Sequence, residues 1–253
     1  MRSPRFLIVN ADDFGFTADV NRGIVEAHRN GILTATTLMA NGAAFDNALQ
    51  LARENPSLDI GCHLVLIGGE SVSDSRRLLP ASVPELVRTV GLGRLSVHEE
   101  LAAQLRKLLA AGIRPTHLDT HKHTHLLPAV MAAVAGVSRE FGIPWVRKPL
   151  PVPVLGSLLE WKLRRGGSRT TDHFAGFSLT GRFGTAELVR CLKRLGSGST
   201  EFMCHPGFCE DDLRRAHTRL KESRVRELEA LTSPETRRTI EEEQIHLVNY
   251  LDL

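Results

Sequence analysis

The chain has 253 residues, of which 42% are hydrophobic and 24% are charged, so its composition is that of a folded globular protein with its own core. Its 32 Lys and Arg against 29 Asp and Glu leave a formal charge of only +3, and 5% of the residues are aromatic, which excludes the strongly basic, base-stacking surface of a nucleic-acid-binding protein. The length fits one (β/α) barrel, and we predict a single domain over residues 1–253.

The first predicted element is a buried strand at Phe6–Val9, followed by a helix that Thr17 caps and Asn30-Gly31 ends. The apolar run of this strand is too short for a signal peptide or a membrane span. The four cysteines lack the spacing of a disulfide framework, which suits a reducing compartment. We therefore predict a cytoplasmic protein.

Apolar β-type runs then alternate with amphipathic stretches to the end of the chain, which is typical of parallel βαβ units. Further strands are predicted at Thr36–Met39, Leu58–Leu66, Pro115–Asp119, Pro144–Val146, Glu201–Cys204 and Ile245–Tyr250. Further helices are predicted at Phe45–Ala52, from a Ser96–Glu99 capping box to Gly112, from Pro128 to Gly142, and from Thr185 and Ser233 onward. About seven strands in this order predict an α/β fold with a parallel barrel, and loop insertions are expected at about 68–94 and 150–183.

Polar residues concentrate at the carboxyl ends of four of these strands. They are Asn10–Asp13, Cys62-His63, the run His117–His125 with four histidines in nine residues, and Cys204–Gly207. The carboxyl ends of barrel strands converge on one mouth, so these clusters are expected to be neighbours in space. One carboxylate and two imidazoles form a facial ligand set with open positions for water and substrate, which predicts a catalytic divalent metal ion.

The two adjacent aspartates are expected to divide the chemistry between them. They cannot easily bind one metal with the same geometry, so we predict Asp13 as the ligand and Asp12 as the general base. His205 is the best-placed proton donor for the leaving group. The structural alternatives are that Asp13 caps the turn before Thr17, and that His205 is a packed histidine at a Pro-Gly turn.

Other polar residues of these clusters are predicted to support the site. Asp119 is expected to orient His205 or another imidazole, and His123 and His125 are expected to line the substrate pocket. Arg147, after the fifth strand, would pair with a site carboxylate, and a surface arginine is the alternative. For His63 the alternative is a hydrogen-bonded core histidine.

Four segments in this order, NADDFG, GCHLVL, THLDTHKHTH and MCHPGF, resemble the YdjC-like carbohydrate deacetylase family, which includes the chitooligosaccharide deacetylases. The resemblance runs from about residue 5 to about residue 235. It implies a deacetylase of N-acetylated sugars on a distorted seven-stranded (β/α) barrel related to the polysaccharide deacetylases. By matching positions it implies Asp13, His63 and His121 as metal ligands, Asp12 as the base and His205 as the acid.

The resemblance also implies a homodimer and one zinc or magnesium ion, and two imidazoles with a carboxylate favour zinc. The segment DHFAGFSLTGRF is more similar to the branch associated with hopanoid biosynthesis, whose substrate would be an N-acetylglucosaminyl lipid. The stretch Leu155–Arg165 would then rest on a membrane surface, and a helix packed on the barrel or at a dimer interface is the alternative. The alternative functions are hydrolysis of a phosphoester or glycosidic bond, and sugar binding without catalysis.

Overall fold

The computed structural model describes residues 3–150 and 155–253. The PVPV segment at 151–154, which belongs to the second predicted insertion, lies outside the described residues. Within them, no helix combines the length and the hydropathy that a membrane crossing requires. Contacts group the residues into two compact units, the first within 1–36, 43–59 and 171–253 and the second within 37–42 and 60–170. The single domain over 1–253 stays a prediction.

Eight strands and ten helices alternate along the described residues. The strands are β1 (Arg5–Phe14), β2 (Ala35–Leu38), β3 (Asp59–Leu64), β4 (His117–Thr120), β5 (Trp145–Val146), β6 (His173–Ala175), β7 (Gly198–Cys204) and β8 (Ile245–Leu247). The helices are α1 (Ala18–Asn30), α2 (Phe45–Glu54), α3 (Val83–Gly91), α4 (Val97–Ala110), α5 (Pro128–Glu140), α6 (Leu155–Arg165), α7 (Thr185–Leu192), α8 (Asp211–Arg215), α9 (Glu222–Thr232) and α10 (Pro234–Glu242).

The strands follow the hydrogen-bonded order β5-β4-β3-β2-β1-β7-β6, and β8 pairs with β1 outside that path. The pairs β1 with β7, β1 with β8, β6 with β7, β3 with β4 and β4 with β5 are all parallel. The predicted α/β fold of seven parallel strands is confirmed. Among the described residues the order is open, with β5 and β6 at its two ends.

In the first unit, the register of β1 against β7 positions polar residues side by side. Ala11 lies opposite Cys204, so Asp12 and Asp13, near the end of β1, lie at the level where His205 follows β7. Leu7, Ile8 and Val9 are fully buried, as expected for a strand that is covered on both faces. Helix α1 then begins where the predicted cap, Thr17 Oγ1, accepts the Val20 N–H.

In the second unit, the register of β3 against β4 positions two more predicted site residues side by side. His63 lies opposite Asp119, and β5 continues into Arg147, whose N–H donates to the Leu118 carbonyl at 2.8 Å. Helix α4 packs on α5, and its predicted apolar face, Leu101, Leu105 and Leu108, is fully buried.

The structure corrects three predictions about elements. Ser96 is the N-cap residue of α4, but its side chain accepts no cap hydrogen bond, so the capping box is wrong. The predicted insertions are not plain loops, since they contain α3, α6 and β6. The strand predicted to close the barrel is β8, which in the described part of the chain pairs with β1 outside the main order. The seventh strand of that order is instead β6, whose three residues are too few to give a sequence signal.

The first insertion is ordered by a buried acid rather than by a core of its own. Glu100 of α4 is fully buried, and its carboxylate accepts hydrogen bonds from the Ser71 hydroxyl at 2.6 Å and from the Val72 and Ser73 N–H groups at 3.0 and 3.1 Å. Bonds between a carboxylate and backbone N–H groups are among the stronger ones in proteins. The segment before α3 is therefore fixed to α4.

Candidate active site

The second unit holds a buried histidine–carboxylate pair. His63 Nδ1 lies 2.7 Å from Asp119 Oδ1, and both residues are 1% exposed. Because a carboxylate accepts hydrogen bonds, Nδ1 of His63 carries the proton and donates it, so the lone pair is on Nε2. Asp119 therefore orients the His63 ring.

The Asp119 carboxylate is itself held by two further groups. Arg147 Nη1 lies 2.8 Å from Asp119 Oδ2, and the Thr37 hydroxyl donates to the same oxygen at 3.1 Å. Arg147 is 1% exposed, so it pairs with a carboxylate of the site as predicted, and the surface alternative is wrong. Thr37 was not predicted, because a threonine inside a buried strand gives no sequence signal. These contacts fix the tautomer and the ring orientation of His63.

The ring nitrogens of His63 and His121 face each other. His63 Nε2 lies 3.2 Å from His121 Nδ1, and the two rings meet edge to face with their centroids 5.3 Å apart. His121 follows β4 directly and is half-buried. A separation of 3.2 Å suits either an N–H···N hydrogen bond or two nitrogen ligands of one cation.

The backbone is strained beside these residues. Among the described residues, four that are not glycine have a positive φ, and three of them, Asp13 (71°), Lys122 (55°) and His123 (52°), belong to the predicted clusters. Left-handed conformations of such residues persist only where the surroundings impose them, and they occur often at functional sites. The turn at Lys122 and His123 separates His121 from His125, whose Nδ1 lies 2.6 Å from the Thr120 hydroxyl. Substrate binding by His123 and His125 stays a prediction.

In the first unit, Asp12 lies between Asn10 and His205. Asn10 Nδ2 donates to Asp12 Oδ1 at 3.3 Å, and Asp12 Oδ2 lies 3.9 Å from His205 Nε2. Asn10 is fully buried, and Asp12 and His205 are 3% and 8% exposed. A carboxylate and an imidazole at this distance, shielded from water, can act as a base and an acid on the same substrate.

Asp13 forms a buried ion pair. Its Oδ2 lies 2.5 Å from Arg224 Nη2, and both side chains are almost completely buried. The Asp13 carbonyl accepts the Phe16 N–H at 3.0 Å, so the turn before Thr17 is made by the backbone. Arg224 was missed, because an arginine within the charged stretch of α9 resembles a solvated residue.

Glu227, also missed, anchors the turn that carries His205. Its Oε2 accepts the His205 N–H at 2.6 Å and its Oε1 accepts the Gly181 N–H at 2.9 Å. Glu227 is fully buried, and this burial raises the pKa of its carboxyl to about 7, opposed by the two N–H donors and by Arg224. No sequence signal distinguishes it from the exposed acids of the same helix.

Two groups of side chains carry the nitrogen and oxygen atoms that a divalent metal ion prefers as ligands. Among the described residues these groups are Asp13 with His63 and His121, and Asp12 with His63 and Asp119. The first is the predicted ligand set. Asp119 fits the role of a supporting residue better than that of a metal ligand, because its carboxylate already contacts three side chains. Cys62 also fits a supporting role better, since burial, together with the Asp119 charge, raises the pKa of its thiol well above the usual value. A divalent ion is therefore compatible with the residues present.

Comparison with known proteins gives relatives over nearly the full length. The family model described as YdjC-like protein matches residues 6–242. Proteins named carbohydrate deacetylase from Brevibacillus brevis and Clostridium beijerinckii are 36% and 33% identical, over 98% of this chain and 99% of theirs. A solved structure from Enterococcus faecalis, provisionally assigned to cellobiose-phosphate cleavage, has a TM-score of 0.83 at 28% identity and covers 99% of both chains.

Proposed function

The chain belongs to the YdjC-like protein family, and we propose that it is a metal-dependent hydrolase that removes the acetyl group from an N-acetylated sugar. The two relatives above carry the name carbohydrate deacetylase and match the chain almost from end to end. A deacetylase must activate a water, stabilise negative charge on the acetyl oxygen, and protonate the departing amine. The residues of the two units offer groups for each task.

The observation that carries the proposal is the pair of ring nitrogens on His63 and His121. Two nitrogen ligands about 2.0–2.1 Å from a tetrahedral metal lie about 3.3 Å apart, and these nitrogens are separated by 3.2 Å. Asp119 directs the His63 lone pair to that side. We propose that Asp13 completes the ligand set and that the ion is zinc, because two imidazoles and one carboxylate suit a transition metal better than magnesium.

Proton transfer falls to Asp12 and His205. A bound divalent ion would polarise the acetyl carbonyl and lower the pKa of the attacking water. Asp12 accepts the proton of that water, and its carboxylate is held for this by the Asn10 amide. His205 donates a proton to the amine nitrogen as the C–N bond breaks, which releases acetate and the amino sugar.

The test is acetate release with and without a chelator. The metal-loaded protein is expected to release acetate from an N-acetylglucosamine oligosaccharide or from a glycolipid with the same sugar. Chelation should abolish the release, and zinc should restore it better than magnesium does. Acetate release that chelation leaves unchanged would contradict the metal-dependent mechanism.

A second candidate is cleavage of a phosphorylated disaccharide, and the provisional assignment of the Enterococcus faecalis structure favours it. A glycosidase needs one of two carboxyl groups protonated beside the scissile bond. Here Asp13 is ion-paired with Arg224, which argues against that role. Assaying one substrate panel for acetate, reducing sugar and phosphate separates the two reactions, and tight sugar binding without any product would support a binding protein instead.

We propose further that the sugar is linked to a lipid and that α6 contacts the membrane surface. One face of this helix buries Leu159 and Leu163 completely, but Leu158 and Trp161 on another face are 46% and 51% exposed. The basic residues of its last turn, Lys162, Arg164 and Arg165, suit anionic head groups. The protein should float with anionic vesicles, and the Leu158→Ser/Trp161→Ser variant should not. Equal flotation of the two proteins contradicts the membrane contact.

The oligomeric state and the compartment are also part of the proposal. We propose a homodimer from the family resemblance, which sedimentation at several concentrations tests. A cytoplasmic location is supported by the cysteines, since none of the four forms a disulfide in the described part of the chain. Fractionation of the source cells tests it.

A further inference from the structure

Helix α9 carries two buried charged residues one turn apart, Arg224 and Glu227. Residues at this spacing share a face of a helix, and both side chains are at most 1% exposed. Burying charged groups is costly unless each is paired and hydrogen-bonded, and apolar residues of similar size would often stabilise a fold equally well. The partners of these two side chains therefore indicate what they do.

Arg224 joins Asp13, the residue before the last of β1, to the turn that follows β7. Its Nη2 is 2.5 Å from Asp13 Oδ2, and its own carbonyl accepts the Gly207 N–H at 3.3 Å. Its Nε donates to the Leu220 carbonyl at 3.3 Å. The guanidinium is thereby held at both ends and keeps the Asp13 carboxylate in one orientation.

Glu227 holds the same turn from its other end. One carboxylate oxygen accepts the His205 N–H and the other accepts the Gly181 N–H. The turn His205–Gly207 is therefore fixed by both residues of α9, at its first N–H by Glu227 and at its last by the Arg224 carbonyl.

We propose that Arg224 and Glu227 are positioning residues of the active site, Arg224 for the carboxylate of Asp13 and Glu227 for the backbone of His205. This inference rests on the proposed function, because it assumes that Asp13 binds the metal and His205 acts as the acid. Neither side chain reaches the surface, since both are at most 1% exposed. Each sets where a reactive group lies, and rates depend steeply on such placement.

Glu227→Gln tests the half that concerns His205. A glutamine has the same shape but a single acceptor oxygen, so one of the two N–H groups loses its partner. The loss of a charge-assisted bond predicts that the His205 or Gly181 amide exchanges roughly 10- to 100-fold faster. The value of kcat should fall while KM and metal affinity stay unchanged. The control is Glu229→Gln, on the exposed side of the same helix.

Unchanged exchange at both amides, or a drop in activity that only follows the folded fraction, overturns the role of Glu227. If Glu227→Gln does not fold, Glu227→Asp keeps both acceptors on a shorter side chain. It should shift the His205 and Gly181 amide signals in NMR spectra while those of β3 and β4 remain in place.

Arg224→Lys tests the half that concerns Asp13. Lysine keeps the charge but not the fork of donors, so the orientation of the carboxylate is lost. Zinc titration calorimetry should show affinity weakened about 10- to 100-fold, as is usual when the partner of a ligand is altered. Arg226→Lys, at an exposed position, is the control. Unchanged zinc affinity of Arg224→Lys overturns its role. Amide exchange and zinc binding can be measured without turnover, so they test the positioning roles even if the protein has no deacetylase activity. A wild-type protein that releases no acetate would refute the proposed function but not these roles.

Discussion

His63 and His205 are both buried histidines at the carboxyl ends of parallel strands, but the second unit holds His63 by its ring and the first unit holds His205 by its backbone. Asp119 accepts from the His63 ring, and Arg147 and Thr37 in turn fix Asp119. Glu227 accepts the backbone N–H of His205, and Asp12 Oδ2 lies 3.9 Å from the His205 ring. A ligand must keep one tautomer, which a ring contact enforces. A proton donor must change its protonation state, and a bond to its backbone fixes its position without fixing its tautomer.

The largest expected effect is on turnover, and it comes from a substitution beside His205 in the first unit. Asp12→Asn removes the proposed base beside the His205 ring and should lower kcat by about 10²- to 10⁴-fold. Zinc affinity, measured by calorimetry, should stay within about twofold, since Asp12 is not in the proposed ligand set. Asp211→Asn, at an exposed acid of the same unit, is the control. Full activity of Asp12→Asn would remove the base assignment.

The next effect is on the pH dependence of the free energy of unfolding, and it comes from the Glu227 carboxyl, which anchors His205. The folded-state pKa of Glu227 is about 7, raised mainly by burial from 4.5. The folded state therefore binds this proton more tightly, and the resulting stability is complete below about pH 4.5 and lost as pH rises through about 7. The free energy of unfolding of the wild type, relative to Glu227→Gln, should fall by about 3 kcal/mol over that range. Urea denaturation at pH 4.5 and 8 measures it, and a pH-independent difference contradicts it.

In the second unit the expected effect is on metal affinity. Asp119→Asn removes the charge that holds the His63 ring and should weaken zinc binding about 10- to 100-fold. The chain offers a control in His98 and Glu140, whose Nε2 and Oε2 atoms lie 2.8 Å apart, against 2.7 Å between the His63 and Asp119 atoms, and whose side chains are both 44% exposed. Glu140→Gln should leave zinc affinity unchanged and alter the free energy of unfolding by under about 1 kcal/mol. Equal effects of the two variants would mean that the buried pair is only structural.

The smallest expected effect comes from the packing behind the His205 turn. A Cβ at Gly23 of α1 would lie 2.4 Å from the Gly207 Cα, and neither backbone can give way cheaply. Gly23→Ala should destabilise the fold by about 1–2 kcal/mol and lower kcat, with zinc affinity unchanged. Gly91→Ala at the end of α3, where a Cβ meets nothing within 4 Å, should be neutral or slightly stabilising. Denaturant unfolding and steady-state kinetics measure both variants.

The reactive residues could be predicted from the sequence, and the residues that hold them could not. Strands with long apolar runs were predicted within a few residues, and so were the polar residues after them, because the ends of parallel strands carry the chemistry of such folds. The strand at His173–Ala175 was missed, since three half-exposed residues have no periodicity to detect. Thr37, Arg224 and Glu227, the partners of the reactive residues, were missed because the sequence does not distinguish a buried polar or charged side chain from an exposed one.

The sequence by itself determined the alternation of strands and helices, the four polar clusters and the residue types that favour a metal ion. Those follow from local chemistry, namely hydrophobic period, turn residues and the donor atoms of side chains. Only the tertiary structure decided that Asp119 serves His63, that Arg224 pairs with Asp13 and that Glu227 holds the His205 turn. The reason is physical: a charged side chain is buried only beside a partner, and that partner comes from a segment far away along the chain.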